Sequence, residues 1–183
     1  MNSTEHAPSV GVVGLGASAR DRAGCAAAGL PVRVMDSSHA HTEAAQVRIA
    51  ANVARAVEVG ALSENASRAA LERIQPAFSE GDFSGCGILV EAVTEDLGLK
   101  SSVYRSVCPA LRSSAVVGTT SSAISITKLA AVSGCPDRFV GMHFLNPVHA
   151  IQLVGDHPCR GYRREHRKNR PLVRPRHRKD PRC

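Results

Sequence analysis

Tryptophan is absent from this chain of 183 residues, and aromatic residues make up only 3% of it. A core built on aromatic packing is therefore excluded, and the 43% of hydrophobic residues point to an Ala/Val/Ile-rich α/β core. The six cysteines (Cys25, Cys86, Cys108, Cys135, Cys159 and Cys183) include no CxxC pair and no His-rich spacing, so a zinc site lacks a ligand pattern. Free thiols imply a reducing compartment, and the cytoplasm is the expectation. No apolar run approaches the roughly 20 residues of a membrane span. The residues up to Pro8 lack the basic start and apolar stretch of a signal peptide.

The length suits one well-buried domain with an appendage. The net charge of +7 would suggest a nucleic-acid or anionic-surface partner if it were spread over the domain, but it lies at one end. From Asp156 onward there are eleven Lys/Arg and three Asp/Glu, a net of +8, while residues 1–155 stand near −1. The same 28 residues contain Pro158, Pro171, Pro175 and Pro181 and no apolar periodicity, which predicts disorder. The boundary falls after Val154: a folded domain over 9–154, then a basic tail over 155–183.

Within the domain, strand and helix patterns alternate. Val10 to Leu15 is a short apolar run, an Ala-rich segment follows to Gly29, and Val32 to Met35 closes on Asp36. Strand, helix, strand is the expectation. Residues 39–59 and 64–74 have helix-favouring composition, with Gly60 as a stop and Ser63 as a cap, and so predict an inserted helical hairpin. Gly87 to Val93 is a continuous apolar run of the kind a buried parallel strand shows, followed by a helix over about 97–111. Ala115 to Gly118, Ile126 to Val132 and Phe139 to His143 then repeat strand, helix, strand. Such alternation predicts a doubly wound parallel sheet.

Gly14, Gly16 and Ala19 form G-x-G-x-x-A between the first strand and its helix, where a backbone must turn tightly and approach a pyrophosphate. Asp36 follows at the end of the second strand, placed to accept hydrogen bonds from an adenosine ribose. A carboxylate there favours NAD over its 2′-phosphorylated form. The fold class expected is thus α/β, a Rossmann-type doubly wound sheet with a helical hairpin insertion and a disordered basic tail. Asp21 and Arg22 run against the fingerprint, since an acid or a buried guanidinium near the pyrophosphate weakens an anion site.

Further on stand VEAVTEDLGLK (90–100), TTSSAISITKLA (119–130) and GMHFLNPV (141–148). In this order, behind this fingerprint, residues 9–154 resemble the NAD-binding domain of the 3-hydroxyacyl-CoA dehydrogenase family. The resemblance implies that His143 is the catalytic base, taking the proton from a 3-hydroxyl while hydride leaves the same carbon, a task suited to an imidazole titrating near neutrality. It implies that Ser122 hydrogen-bonds the reacting oxygen and that Asn146 lies near the histidine and the nicotinamide. Glu95 and Lys100 match positions touching the cofactor and the CoA thioester arm. The implied cofactor is NAD and the implied substrate an acyl-CoA. Singly, His143 could be a core histidine, Ser122 a helix cap and Lys100 a solvated surface charge; at family spacing only the last of these alternatives stays open.

Two features depart from the family. Its histidine is paired with a glutamate on the next strand, which fixes the imidazole tautomer, and Gly155 stands at that position. Asp156 is adjacent but points to the opposite face of a strand. By analogy with triad carboxylates, turnover is expected to fall by about 10²- to 10⁴-fold. The other departure concerns the all-helical C-terminal domain, which in the family closes over the acyl-CoA, adds an asparagine and forms the dimer. No part of this sequence corresponds to it. Codons permitted for residue 155 onward, advanced by one base, spell E-I-I-P-A-A-D-T-D-E, so a second open frame in the gene is expected.

The reading is a 3-hydroxyacyl-CoA dehydrogenase-like protein that binds NAD with impaired or absent turnover. The alternative is a non-catalytic dinucleotide-binding domain whose tail engages nucleic acid or an anionic surface. Tyr162 is the only aromatic of that tail, which ranks single-strand stacking low.

Overall fold

The computed structural model describes residues 9–14, 26, 29–144 and 154–158; for residues 143–144 and 154–158 it describes the backbone alone. Strands β1 (Ser9–Val13), β2 (Val32–Met35), β3 (Ile74–Pro76), β4 (Cys86–Glu91), β5 (Val116–Thr119), β6 (Phe139–Phe144) and β7 (Val154–Pro158) form one sheet in the order β3-β2-β1-β4-β5-β6-β7. The first six run parallel, and β7 pairs antiparallel with β6. The order reverses between β1 and β4, which opens a crevice beyond the carboxyl ends of the strands.

Helices cover both faces because successive strand residues point to opposite sides. Val10, Val12, Val32, Val34, Ile88 and Val90 face one layer, where they meet Ala45, Ile49 and Val53 of α1 (His39–Glu58) and Ala70 of α2 (Glu64–Glu72). Val13, Leu89, Val117 and Phe139 face the other, against Tyr104 and Val107 of α3 (Leu97–Val107) and Leu129 and Ala130 of α4 (Ile126–Ser133). Each fully buried Val, Leu or Ile contributes about 1.5–3 kcal/mol relative to exposure.

The helical hairpin forms as expected. Gly60 turns the chain at φ +70°, and the Ser63 hydroxyl accepts the Ala66 N–H at 3.3 Å to start α2. The β2 boundaries coincide with the sequence expectation. The helix expected over 97–111 ends at Val107, because Pro109 cannot supply an N–H, and the chain continues as a 3₁₀ turn over Cys108–Ala110. The three-residue β3 and a 3₁₀ turn at Glu80–Phe83 have too few residues to show a period, and β3 took over the end of the segment expected to be helical.

The first residues of the segment expected to be a basic tail, 155–158, belong to β7. The physical reason is that β6 would otherwise end the sheet with unpaired N–H and C=O groups, which a strand of any composition can satisfy. The rest of the basic tail, 159–183, lies outside the described residues, and so do Gly16, Ala19, Asp21, Arg22 and Asn146. Of the Ala-rich segment, Ala26 is described as helical and buried.

Candidate functional site

The crevice is a cleft of about 1010 Å³ whose walls include Gly14 after β1, Asp36 after β2, Ala92–Glu95 after β4, and Thr120 and Ser122 after β5. That volume is at the upper end of the roughly 300–1,000 Å³ of ligand sites. Backbone hydrogen bonds hold its floor in line: the N–H of Gly14 donates to Met35 O, that of Ala92 to Val13 O and that of Thr120 to Glu91 O.

Gly14 is required at its position. Its φ is +90°, and a Cβ there would lie 2.6 Å from the Val93 nitrogen. Asp36 presents its carboxylate at the end of β2, where Oδ1 accepts the Ser37 N–H at 2.7 Å, while its own N–H donates to Thr42 Oγ1 at 3.0 Å. The sequence-predicted residues Gly14, Asp36, Glu95 and Ser122 are thus brought onto one cleft.

Glu95 is the organiser of the β5 side. Its Oε1 accepts the N–H groups of Ser122 (3.1 Å), Ala123 (2.9 Å) and Ile124 (3.3 Å), together with the Ser121 hydroxyl. Successive backbone N–H groups aimed at one point form an anion-binding nest, and here a side chain of the same domain fills it. Desolvation pushes the Glu95 carboxyl up, but the Ser121 hydroxyl, the Ala123 N–H and the Lys100 ammonium outweigh it and hold the group at about 2.

Lys100 is not the solvated surface lysine that the sequence left open. Its side chain is 0% exposed, and Nζ donates to Glu91 Oε1 at 2.7 Å and to Val93 O at 3.1 Å and pairs with Glu95 Oε2 at 3.3 Å. Lys100 is not a wall of the cleft, and it reaches the cleft through Glu95. Glu91, equally buried, accepts from Tyr104 OH (2.6 Å) and Thr119 Oγ1 (2.7 Å) on Oε2 and from the Val93 N–H (2.8 Å) on Oε1. Burial, and then the Glu91 carboxylate, push the Tyr104 phenol far up, so the ring stays a donor.

Glu91, Tyr104 and Thr119 are the residues that sequence reasoning missed. A signal was present: an acid inside the apolar run GILVEAV must be paired if the strand is buried, and Lys100 and Tyr104 lie one helical turn apart.

Beside the cleft is a second hollow of about 370 Å³, lined by Ser121–Ile126 with Gly141 and Met142 of β6. Ser122 is the residue that lines both. His143 follows Met142 in β6, and its ladder partner is Gly155; Asp156 pairs with Met142 and so belongs to the opposite face. Among the described residues no group of three or more His, Cys, Asp or Glu is arranged to hold a metal ion, and no helix is long and apolar enough to cross a membrane.

A six-strand parallel sheet in this order, with a glycine turn, an acid at the end of β2 and a cleft at the switch point, defines a dinucleotide-binding domain. Residues 9–155 match the model of the 3-hydroxyacyl-CoA dehydrogenase NAD-binding domain, and the chain belongs to that family. A 3-hydroxybutyryl-CoA dehydrogenase of Bradyrhizobium diazoefficiens is 36% identical over 146 residues, which cover 79% of this chain and 50% of that protein. The fatty acid oxidation complex subunit alpha of Pseudomonas aeruginosa is 36% identical over 126 residues, covering 69% of this chain and 18% of the subunit. The crystal structure of (S)-3-hydroxybutyryl-CoA dehydrogenase from Ralstonia eutropha superposes with a TM-score of 0.80 at 32% identity, over 88% of this chain and 57% of that one. This chain therefore spans half or less of the curated relatives it matches.

The family makes NAD the cofactor, and the residues present fit it. Gly14 leaves the β1 turn without a side chain, and Asp36 borders the cleft where a ribose would be held. Gly16 and Ala19, the rest of the fingerprint, lie outside the described residues.

Proposed function

We propose that the chain is the cofactor half of an enzyme interconverting 3-hydroxyacyl-CoA and 3-oxoacyl-CoA, and that turnover by the chain as it stands is low. The observation that carries this reading is the position of Ser122 between the dinucleotide cleft and the hollow beside the His143 strand. A substrate oxygen at that junction would meet the Ser122 hydroxyl next to the strand that carries His143.

NAD, when bound, supplies the acceptor for the hydride. His143 takes the proton from the 3-hydroxyl as general base, and returns it when a 3-oxo group is reduced. Ser122 donates a hydrogen bond to the same oxygen, and Asn146 holds the neighbourhood of the histidine and the nicotinamide. Glu95 positions Ser122 by accepting its N–H and those of the two residues after it. Lys100 acts through Glu95 rather than by touching substrate. Gly14, Gly16, Ala19 and Asp36 hold the dinucleotide.

Low turnover follows from Gly155, which puts no carboxylate opposite His143. An imidazole without such a partner is held less firmly in one tautomer, and its protonated form is less stabilised. NADH titration followed by fluorescence, with acetoacetyl-CoA reduction measured on the same sample, tests the proposal. NADH binding with little reduction is expected. A folded sample that binds no NADH overturns it.

A further inference from the structure

Cys108 and Cys135 are 27 residues apart in sequence, yet their sulfur atoms are in contact at 3.6 Å. Cys108 ends α3, and Cys135 follows the left-handed Gly134 that ends α4. Cys108 directly follows Ser106 and Val107, which border the cleft. Both thiols are buried, at 8% and 5% exposure, and Cys108 retains the larger opening to solvent.

The surroundings suit thiol oxidation and not metal binding. Ser133 Oγ is 3.4 Å from the Cys135 sulfur and accepts the Cys135 N–H at 3.1 Å. Arg138, clamped by the carbonyls of Arg112 and Ala115, contributes a nearby positive charge. No third His, Cys, Asp or Glu joins the two sulfurs among the described residues. The contact with Cys108, with help from Ser133 and Arg138, holds the Cys135 thiol down against the cost of burial, whereas the same contact and burial push Cys108 up. The contact thus favours ionisation of Cys135 over Cys108.

We propose that Cys108 and Cys135 form a redox-modification site, a dithiol that a hydroperoxide converts to a disulfide stapling the end of α3 to the approach to β6. The Cys135 thiolate attacks the peroxide oxygen, the O–O bond breaks, and the alcohol or water leaves with a proton. The Cys135 sulfenic acid is then attacked by Cys108, the S–S bond forms and water departs. Two thiols lose two electrons and two protons in all, and the peroxide is reduced to one alcohol and one water. Bond formation closes the 3.6 Å between the sulfurs to about 2.05 Å.

The test is hydrogen peroxide treatment of the full chain, followed by alkylation in denaturant and peptide mass mapping. Cys86 serves as an internal reference, being buried and raised by desolvation, with no second thiol in contact among the described residues. The expected result is a Cys108–Cys135 cross-linked peptide two hydrogens lighter than the thiols, formed faster than any Cys86 oxidation and reversed by dithiothreitol. The oxidised chain should melt about 10 °C higher, because the staple closes a loop of intermediate length in the unfolded state. In Cys108→Ser, Cys135 should instead be trapped by dimedone as the sulfenic acid. Cys108 and Cys135 both alkylating after oxidation, or pairing with other cysteines, overturns the proposal on the unmutated chain alone.

Discussion

Gly155 is the ladder partner of His143 in the antiparallel β6–β7 pair, so the two residues share a face of the sheet. A carboxylate introduced at 155 would stand at the register position opposite residue 143, where it would favour a protonated imidazole. Gly155→Glu is expected to raise the His143 pKa by roughly one unit, because an opposite charge at this range stabilises the imidazolium. Histidine ring-proton NMR titrations, with His143→Gln used for assignment, measure this. Acetoacetyl-CoA reduction should rise by about 10²-fold if the carboxylate acts as its counterpart does in other base-carboxylate pairs. An unchanged His143 titration would mean that the β6–β7 register does not bring the two side chains together.

The Glu91–Lys100 ion pair has a different sensitivity, since both members are 0% exposed. Lys100→Met should destabilise the domain by about 3–5 kcal/mol, the range for leaving one buried charge without its partner. The double variant Glu91→Leu/Lys100→Met removes both charges and should recover part of that loss, although Tyr104 and Thr119 then lose their acceptor. Urea denaturation of Lys100→Met, Glu91→Leu and the double variant beside the parent decides the matter. A double variant as unstable as the sum of two singles would show that the pair is not coupled.

How far the sequence could lead differs between these regions. Gly14 and Asp36 were legible because each directly follows a strand of recognisable pattern, and the ends of parallel strands converge on one crevice, whereas Ser122 was legible only as a family position. Lys100 was legible as a family position but not in its environment. Its burial depends on α3 packing over β4, which brings the ammonium onto an acid nine residues earlier, and no local pattern encodes that approach. β7 was not legible for the complementary reason. Gly155, Asp156, His157 and Pro158 carry no strand signature, and their pairing follows from the open edge of β6.

Glu95 supplies a pH signature. Its carboxyl is held at about 2 against an ordinary 4.5, so the folded state binds its proton less tightly than the unfolded state. The stabilisation is therefore fully present above pH 4.5 and is lost as the pH falls towards 2. Solvent reaches the side chain, so the effect is moderated. In thermal melts between these limits, the unmutated chain should lose stability more steeply than Glu95→Gln, and the two should converge at the acid end. Parallel curves would mean that the Ser122–Ile124 N–H groups are not held by this carboxylate.

Gly14 carries both packing and cofactor demands. Alanine at this position would have to adopt φ +90° and place a Cβ 2.6 Å from the Val93 nitrogen and 2.7 Å from the Ala92 carbonyl carbon. Neither neighbour is a flexible side-chain tip, so the strain cannot be relieved by a rotamer change. A non-glycine residue forced into such a conformation costs about 1–3 kcal/mol, and displacement of the β4 loop adds to it. Gly14→Ala should therefore lower the melting temperature and weaken NADH binding together, because the same loop carries Val93 and Thr94 into the cleft. Asp36→Ala, which leaves the turn untouched, should weaken NADH binding without the loss of stability. Calorimetry of both variants with and without NADH separates the two effects: a Gly14→Ala chain as stable as its parent would remove the packing argument, whatever its affinity.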